Sequence, residues 1–211
     1  MPAEKRGFFL VLEGLPGSGK TTICRMLENL GWKIFPEVAT VLGASGIPIG
    51  DRGDTSSDYL IFIEETRRLK EIEKSLVEGQ NIVVDSYFPT DLSFAYARYM
   101  RKQSSAYPTC LSLYINAWTT EAIPKPDLYV YLYTPIETAV ERQKYRNKED
   151  FTTLNLDLLK NVDAHLRFIH EIFEKDVRVL RIDATKKSAE IVDEILKAAK
   201  PRWSSRQNSF H

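Results

Sequence analysis

The sequence predicts an α/β domain in three layers, a five-stranded parallel sheet flanked by helices. Five short apolar runs, dense in β-branched or aromatic residues, occupy residues 8–13, 32–36, 81–85, 128–133 and 177–182, the length expected of strands. Longer stretches with apolar residues at helical spacing lie between them, as in 59–78 (Leu60, Ile63, Leu69, Ile72, Leu76) and 189–199 (Ile191, Val192, Ile195, Leu196). The strand runs are nearly continuous in apolar character, which a parallel sheet covered on both faces requires. Ligands of such sheets bind beyond the carboxyl ends of the strands, so the loops after Glu13, Pro36, Asp85 and Tyr133 matter most.

The first strand runs into Gly14-Leu15-Pro16-Gly17-Ser18-Gly19-Lys20-Thr21, followed by Thr22 and a helix-forming stretch. This satisfies the pattern G-x-x-x-x-G-K-S/T in its proper place between strand and helix. Glycines let successive backbone N–H groups turn inward around a β-phosphate, and the following helix adds its positive end. Lys20 supplies a charge for the β- and γ-phosphates, and Thr21 offers a hydroxyl to Mg²⁺. Eight ordered positions in that context are too specific for a turn without a ligand. The loop establishes nucleotide binding alone, because it serves several chemistries.

The second strand ends at Pro36, and Glu37 follows it. An acid there either faces a phosphoryl acceptor or sits on the positive end of the next helix. Residues 43–57, rich in Gly, Asp and Ser, read as a mobile loop inside the domain. The third strand closes on Val83-Val84-Asp85-Ser86-Tyr87, where a carboxylate that orients a metal belongs, the alternative being a solvated strand-end acid. The Met and aromatic residues of 94–100 and 107–118 fit an acceptor pocket, the core or a two-fold interface equally.

Beyond the fourth strand, Arg142, Lys144, Arg146 and Lys148 stand close together. A charge run is usually a solvated face, and like charges one helical turn apart are unfavourable without an anion. Near a triphosphate the same spacing puts Arg142 and Arg146 on one face, as a lid over residues 142–153 needs. The last stretch, 201–211, is polar and without period, and is expected to fray.

The 211 residues fit one domain over 1–200. Since 29 basic residues balance 29 acidic ones, no net field recruits a nucleic acid polymer or an anionic membrane, and a small-molecule partner fits better. Cys24 and Cys110 are too few for a disulfide framework. With a polar start and no apolar run approaching the roughly 20 residues of a membrane span, a cytoplasmic protein is expected.

With these pieces in place the chain resembles the thymidylate kinase and deoxynucleoside kinase superfamily, in order from Phe8 to about Lys200. The resemblance rests on the loop 14–22, Pro36-Glu37-Val38, the long helix leading into Glu78-Gly79-Gln80-Asn81-Ile82-Val83-Val84-Asp85, and Phe94-Ala95-Tyr96-Ala97. Lys125-Pro126-Asp127-Leu128, the Arg142…Arg146 pair and Ile182-Asp183-Ala184-Thr185 complete it. It implies a P-loop kinase fold, ATP and Mg²⁺, and transfer of the γ-phosphoryl group to a nucleoside or nucleoside-like hydroxyl, with a nucleoside monophosphate kinase as the near alternative.

By that resemblance Gly14, Pro16, Gly17, Ser18, Gly19, Lys20, Thr21, Thr22 and Arg142 hold the nucleotide, and Asp183 and Ala184 line its adenine side. Asp85 with Thr21 orients Mg²⁺, Glu37 receives the acceptor's proton or helps hold the metal, and Arg142 and Arg146 close over the phosphates. The acceptor would meet Glu37, Tyr59, Arg67 or Arg68, and Tyr87, although Tyr59 and Tyr87 fit the core equally well and Phe62 fits it better. A homodimer is an expectation from the family alone.

Two departures bear on the acceptor: Ser86 stands where an arginine usually follows the strand-end Asp, and Pro36 where thymidylate kinases usually carry Arg. Each missing cation removes a charge-assisted hydrogen bond of about 1.5–3 kcal/mol to a monophosphate, which favours an acceptor with a free hydroxyl. Arg52, Arg67, Arg68 and Arg98 are the candidates to replace them. A nucleotide-binding switch is the alternative of another class; a guanine-reading Asn-Lys-x-Asp element is missing after the fourth strand.

Overall fold

The computed structural model describes residues 6–146 and 155–199, the side chains of Tyr145 and Arg146 excepted. Among the described residues five strands form, β1 Phe9–Glu13, β2 Lys33–Phe35, β3 Ile82–Asp85, β4 Leu128–Tyr133 and β5 Val179–Asp183. They make one parallel sheet in the order β2-β3-β1-β4-β5. Each lies within or one residue beyond an expected apolar run.

The helices are α1 Lys20–Glu28, α2 Val38–Ala44, α3 Thr55–Val77, α4 Phe88–Met100, α5 Tyr107–Thr119, α6 Ile136–Arg146, α7 Leu156–Phe173 and α8 Ser188–Ala199. All five residues of β1 are buried, and the pleat divides them between two cores. Phe9 and Val11 pack with α3, α4, α5 and α7, whereas Leu10 and Leu12 pack with α1 and α8. That is the predicted three-layer arrangement, and each side chain so buried contributes about 1.5–3 kcal/mol.

Strand order places the site. From β1 the chain crosses to β2 at one edge, returns through β3 beside β1 and then passes to β4 on the other side, so a crevice opens at the carboxyl end of β1. Register aligns Leu12 with Asp85 and Glu13 with Tyr131, which brings the ends of β3 and β4 beside the loop after β1.

The stretch 43–57 carries more regular structure than a composition of Gly, Asp and Ser suggests. Gly43 and Ala44 close α2, Gly50–Arg52 form a 3₁₀ turn, and α3 begins at Thr55. The cause is a reciprocal cap: Ser57 N donates to Asp54 Oδ1 at 2.8 Å and Asp54 N to Ser57 Oγ at 2.7 Å, satisfying two helix-end donors. Most of the expected lid, 142–153, and the tail 201–211 lie outside the described residues. Among the described residues no helix is long and apolar enough to cross a membrane.

Candidate active site

The loop between β1 and α1 has the geometry its glycines permit. Gly17 adopts φ 88°, and a Cβ there would stand 2.3 Å from the Ala139 carbonyl oxygen, so no other residue fits. At Gly19 the space where a Cβ would point is open for 4 Å. Lys20 is buried at the start of α1 and donates to the carbonyls of Gly14 (2.8 Å) and Leu15 (3.3 Å). With no acidic residue in the first turn of α1, the helix's positive end is left for an anion.

Thr21 and Asp85 meet: Thr21 Oγ1 donates to Asp85 Oδ2 at 2.7 Å. Two hard oxygen groups side by side next to Lys20 suit Mg²⁺, which takes few protein ligands and completes its shell with water and phosphate oxygens. Among the described residues no three His, Cys, Asp or Glu side chains form a metal cage.

Behind the loop stands an acid that the sequence reading did not single out. Glu13 is fully buried, and its carboxyl accepts the Tyr87 N–H (2.7 Å) and the Thr90 hydroxyl. Burial pushes its pKa up to about 8 against the pull of Thr90, Tyr87 and Lys20. It ties the end of β1 to the turn after β3, where Ser86 takes φ 61° and donates its N–H to Leu12 O at 3.0 Å. The available signal was an acid ending an otherwise apolar strand.

On the donor side a cavity of about 250 Å³ is lined by Gly17, Ser18, Thr22, Arg142, Ala184 and Lys186, among others. Arg142 spans it, its guanidinium donating to Ala184 O (2.9 Å) and Gly17 O (3.5 Å). Asp183 does not line this cavity: its carboxylate accepts the N–H and hydroxyl of Thr185, which hold its pKa below the usual range. The Arg146 side chain lies outside the described residues.

On the other side of Lys20 opens a cleft of about 360 Å³. Lys20, Thr21 and Asp85 line its inner end, and Glu37 and Thr40 come from α2. Asp58 and Ile61 of α3, Thr90, Asp91, Phe94 and Arg98 of α4 and Arg25 of α1 are among its other lining residues. Glu37 holds the N-cap position of α2 without capping it; instead it accepts the Thr40 hydroxyl at 2.6 Å.

The other expected acceptor contacts are distributed differently. Tyr87 lies in the core, its ring 6.0 Å from that of Phe9, and Phe62 packs there against Tyr114 at 4.9 Å. Tyr59 is 39% exposed and does not line the cleft. Arg67 is exposed and bonded to Glu64 at 2.8 Å, and Arg52 stands outside the cleft in the 3₁₀ turn.

Arg68 is buried, pairing with Glu65 (2.5 Å) and donating to Pro36 O (2.7 Å) and Ser86 O (3.0 Å). Arg98, also buried, pairs with Asp58 and donates to Gly50 O. Asp58, Glu65 and Asp91 were not foreseen. Asp58 and Glu65 lie seven residues apart on α3, as Asp91 and Arg98 do on α4, a two-turn spacing that puts each pair on one helix face. Burial, with Glu65 and Glu37 nearby, raises the Asp91 carboxyl well above the usual range.

Residues 10–167 match the AAA domain family. The thymidylate kinase of Alkalilimnicola ehrlichii is 29% identical, over 95% of this chain and 97% of its own. The probable thymidylate kinase of Pyrococcus abyssi is 26% identical, over 85% and 90%. Among solved structures, the deoxyadenosine kinase from M. mycoides with bound dATP shares the fold at TM-score 0.69 and 18% identity, covering 90% of this chain and 98% of that one. The thymidylate kinase from Candida albicans does so at TM-score 0.69 and 17% identity, covering 93% and 92%. The matched span holds the phosphate loop, Glu37, Asp85 and Arg142, and the chain belongs to the AAA domain family of P-loop proteins, with thymidylate kinases among the curated proteins that it resembles along most of its length.

Proposed function

We propose that this protein is an ATP-dependent kinase that moves the γ-phosphoryl group to the hydroxyl of a nucleoside or nucleoside-like small molecule. The observation that carries the reading is one cleft lined at once by Lys20, Thr21 and Asp85, which suit a nucleotide's phosphates and Mg²⁺, and by Glu37, which suits an acceptor hydroxyl. Phosphoryl transfer asks mainly for positioning and charge neutralisation, and these residues supply both.

Glu37 accepts the proton of the attacking hydroxyl, Lys20 and Arg142 offset charge on the phosphates, and Thr21 and Asp85 would hold Mg²⁺, which would supply further neutralisation of phosphate charge. Arg146 would add to the same neutralisation. Cys24 and Cys110 are both buried and unbridged, which suits the reducing cytoplasm.

The placement of Arg68 and Arg98 supports one reading of the acceptor class. Arg68 and Arg98 are both held by buried acids, and Ser86 and Pro36 occupy the positions where the resemblance leads one to expect phosphate-binding cations. A neutral hydroxyl acceptor fits this arrangement better than a monophosphate. The monophosphate reading keeps one specific support, the names of the curated relatives.

The test is ADP release from ATP and Mg²⁺ with a panel of nucleosides, their monophosphates and unrelated alcohols, using Lys20→Ala and Glu37→Gln as controls. Stimulation by a nucleoside, lost in both variants, is the expected result. Stimulation by a monophosphate alone establishes the second reading. ATP binding without stimulation by any acceptor overturns the kinase reading in favour of a nucleotide-binding switch.

A further inference from the structure

The two buried arginines share a task that their distance in sequence hides. Arg68 donates to the carbonyl of Pro36, immediately before the segment 37–49, and Arg98 donates to the carbonyl of Gly50, immediately after it. That segment carries Glu37, Ala39, Thr40 and Ile49 into the cleft. Each guanidinium is neutralised by an acid of α3, Glu65 for Arg68 on the same helix and Asp58 for Arg98 across from α4. Asp58 in turn accepts the Ala106 N–H (2.8 Å) and the Ser105 hydroxyl (3.0 Å), which anchors it to the start of α5.

We propose that Arg68 and Arg98 are positioning residues that strap the segment 37–49 at both ends and so set where Glu37 stands relative to the phosphate loop. A planar guanidinium can serve a carboxylate and a backbone carbonyl at once, which a lysine ammonium on a flexible stem does poorly. Gly53 makes the outer strap close-fitting: a Cβ there would stand 2.9 Å from Arg98 Nη1, 3.0 Å from Cζ and 3.0 Å from Ser57 Oγ in the cap of α3. Its φ of −64° is open to alanine, so Gly53→Ala perturbs the strap without removing a charge and without backbone strain.

The kinetic part of this proposal rests on the kinase reading above; the geometric part does not. Hydrogen–deuterium exchange on the full chain addresses the geometric part, comparing the wild type with Arg98→Met, Arg68→Met and Gly53→Ala. Amides of 37–49 are expected to exchange faster in all three, with β1 and α1 unchanged. Unchanged exchange of 37–49 in Gly53→Ala, or in every arginine variant that folds, overturns the strap.

In the kinetic arm, kcat/KM for the acceptor is expected to fall by about 100-fold in Arg98→Met, the scale of a small misplacement of a reacting group. The KM for ATP stays at its wild-type value, and Arg98→Lys lies between. Donor and acceptor constants falling together would show a merely structural role. A wild type that no acceptor stimulates sinks the kinase reading, while exchange still decides the strap.

Discussion

The cavity on the proposed donor side is built around one unbroken stretch, the glycine-shaped loop that contributes Gly17, Ser18, Gly19 and Thr22, with Arg142 spanning it. The acceptor half draws on side chains from α2, α3 and α4, held in place by the buried pairs Arg68–Glu65 and Arg98–Asp58. A backbone site depends on dihedral angles that few residues can adopt. A side-chain site depends on charges that must all stay matched, since a buried ion pair adds little net stability but is costly to break by half. The two halves should therefore fail in different ways.

The largest effect is expected on the acceptor side. Asp58→Ala leaves the Arg98 guanidinium buried without its acid and should destabilise the fold by about 3–5 kcal/mol, read by urea denaturation. The folded fraction should still bind ATP, because the donor half does not use that pair. Equal loss of ATP affinity would break the comparison.

Gly17→Ala tests the donor half. The φ of 88° and the approach to the Ala139 carbonyl should together cost about 1–3 kcal/mol of stability. ATP affinity, measured by titration calorimetry, should fall, while exchange of 37–49 stays at the wild-type rate. Unaltered ATP binding would mean that the loop tolerates a side chain where its geometry forbids one.

Acid should weaken the fold through the buried histidines of α7. His165 of α7 supports α4 through Ser93 Oγ at 2.9 Å and meets the Tyr107 hydroxyl at 2.9 Å, and burial lowers its pKa to about 4. His170 on the same helix, buried between Tyr129 and Tyr131, is lowered to about 3. An unfolded histidine takes its proton near pH 6.5, so between that pH and about 4 the folded chain binds fewer protons and stability drops as pH falls. Glu13 works in the opposite sense, its contribution lost as pH rises from about 4.5 to 8. His165→Gln should flatten the acid limb of a thermal-unfolding profile, and an unchanged limb would assign it to other groups.

The smallest effect is expected at Arg67. It is exposed and paired only with Glu64, so Arg67→Ala should change stability by less than about 0.5 kcal/mol and leave acceptor kinetics as they are. A large acceptor defect would place this side chain in the cleft after all.

How much of this was legible in the chain differs between the halves for the same reason. The phosphate loop is contiguous, so its pattern is its geometry, and Lys20 and Thr21 follow from spacing alone. Glu37 and Asp85 were readable because each ends or follows an apolar strand, and parallel strands bring their carboxyl ends together. Arg67 and Arg68 could not be told apart by composition, yet neighbours on a helix point about 100° apart, so one turns to solvent and the other to Glu65. Tyr87 reads equally well as a pocket or a core residue; Ser86, at φ 61°, turns the chain and delivers the ring to Phe9.

By itself the sequence determined the layers, the parallel sheet, the phosphate loop and the two acids at strand ends, because each depends on residues near one another in the chain or on the period of a single element. Tertiary structure alone decided which arginines are spent on buried acids, which aromatics line the cleft, and that Pro36 and Gly50 are held by guanidinium groups 32 and 48 residues away. Those outcomes depend on which helix faces meet across the sheet, and a pairing between distant helices leaves no period or motif in the chain that forms it.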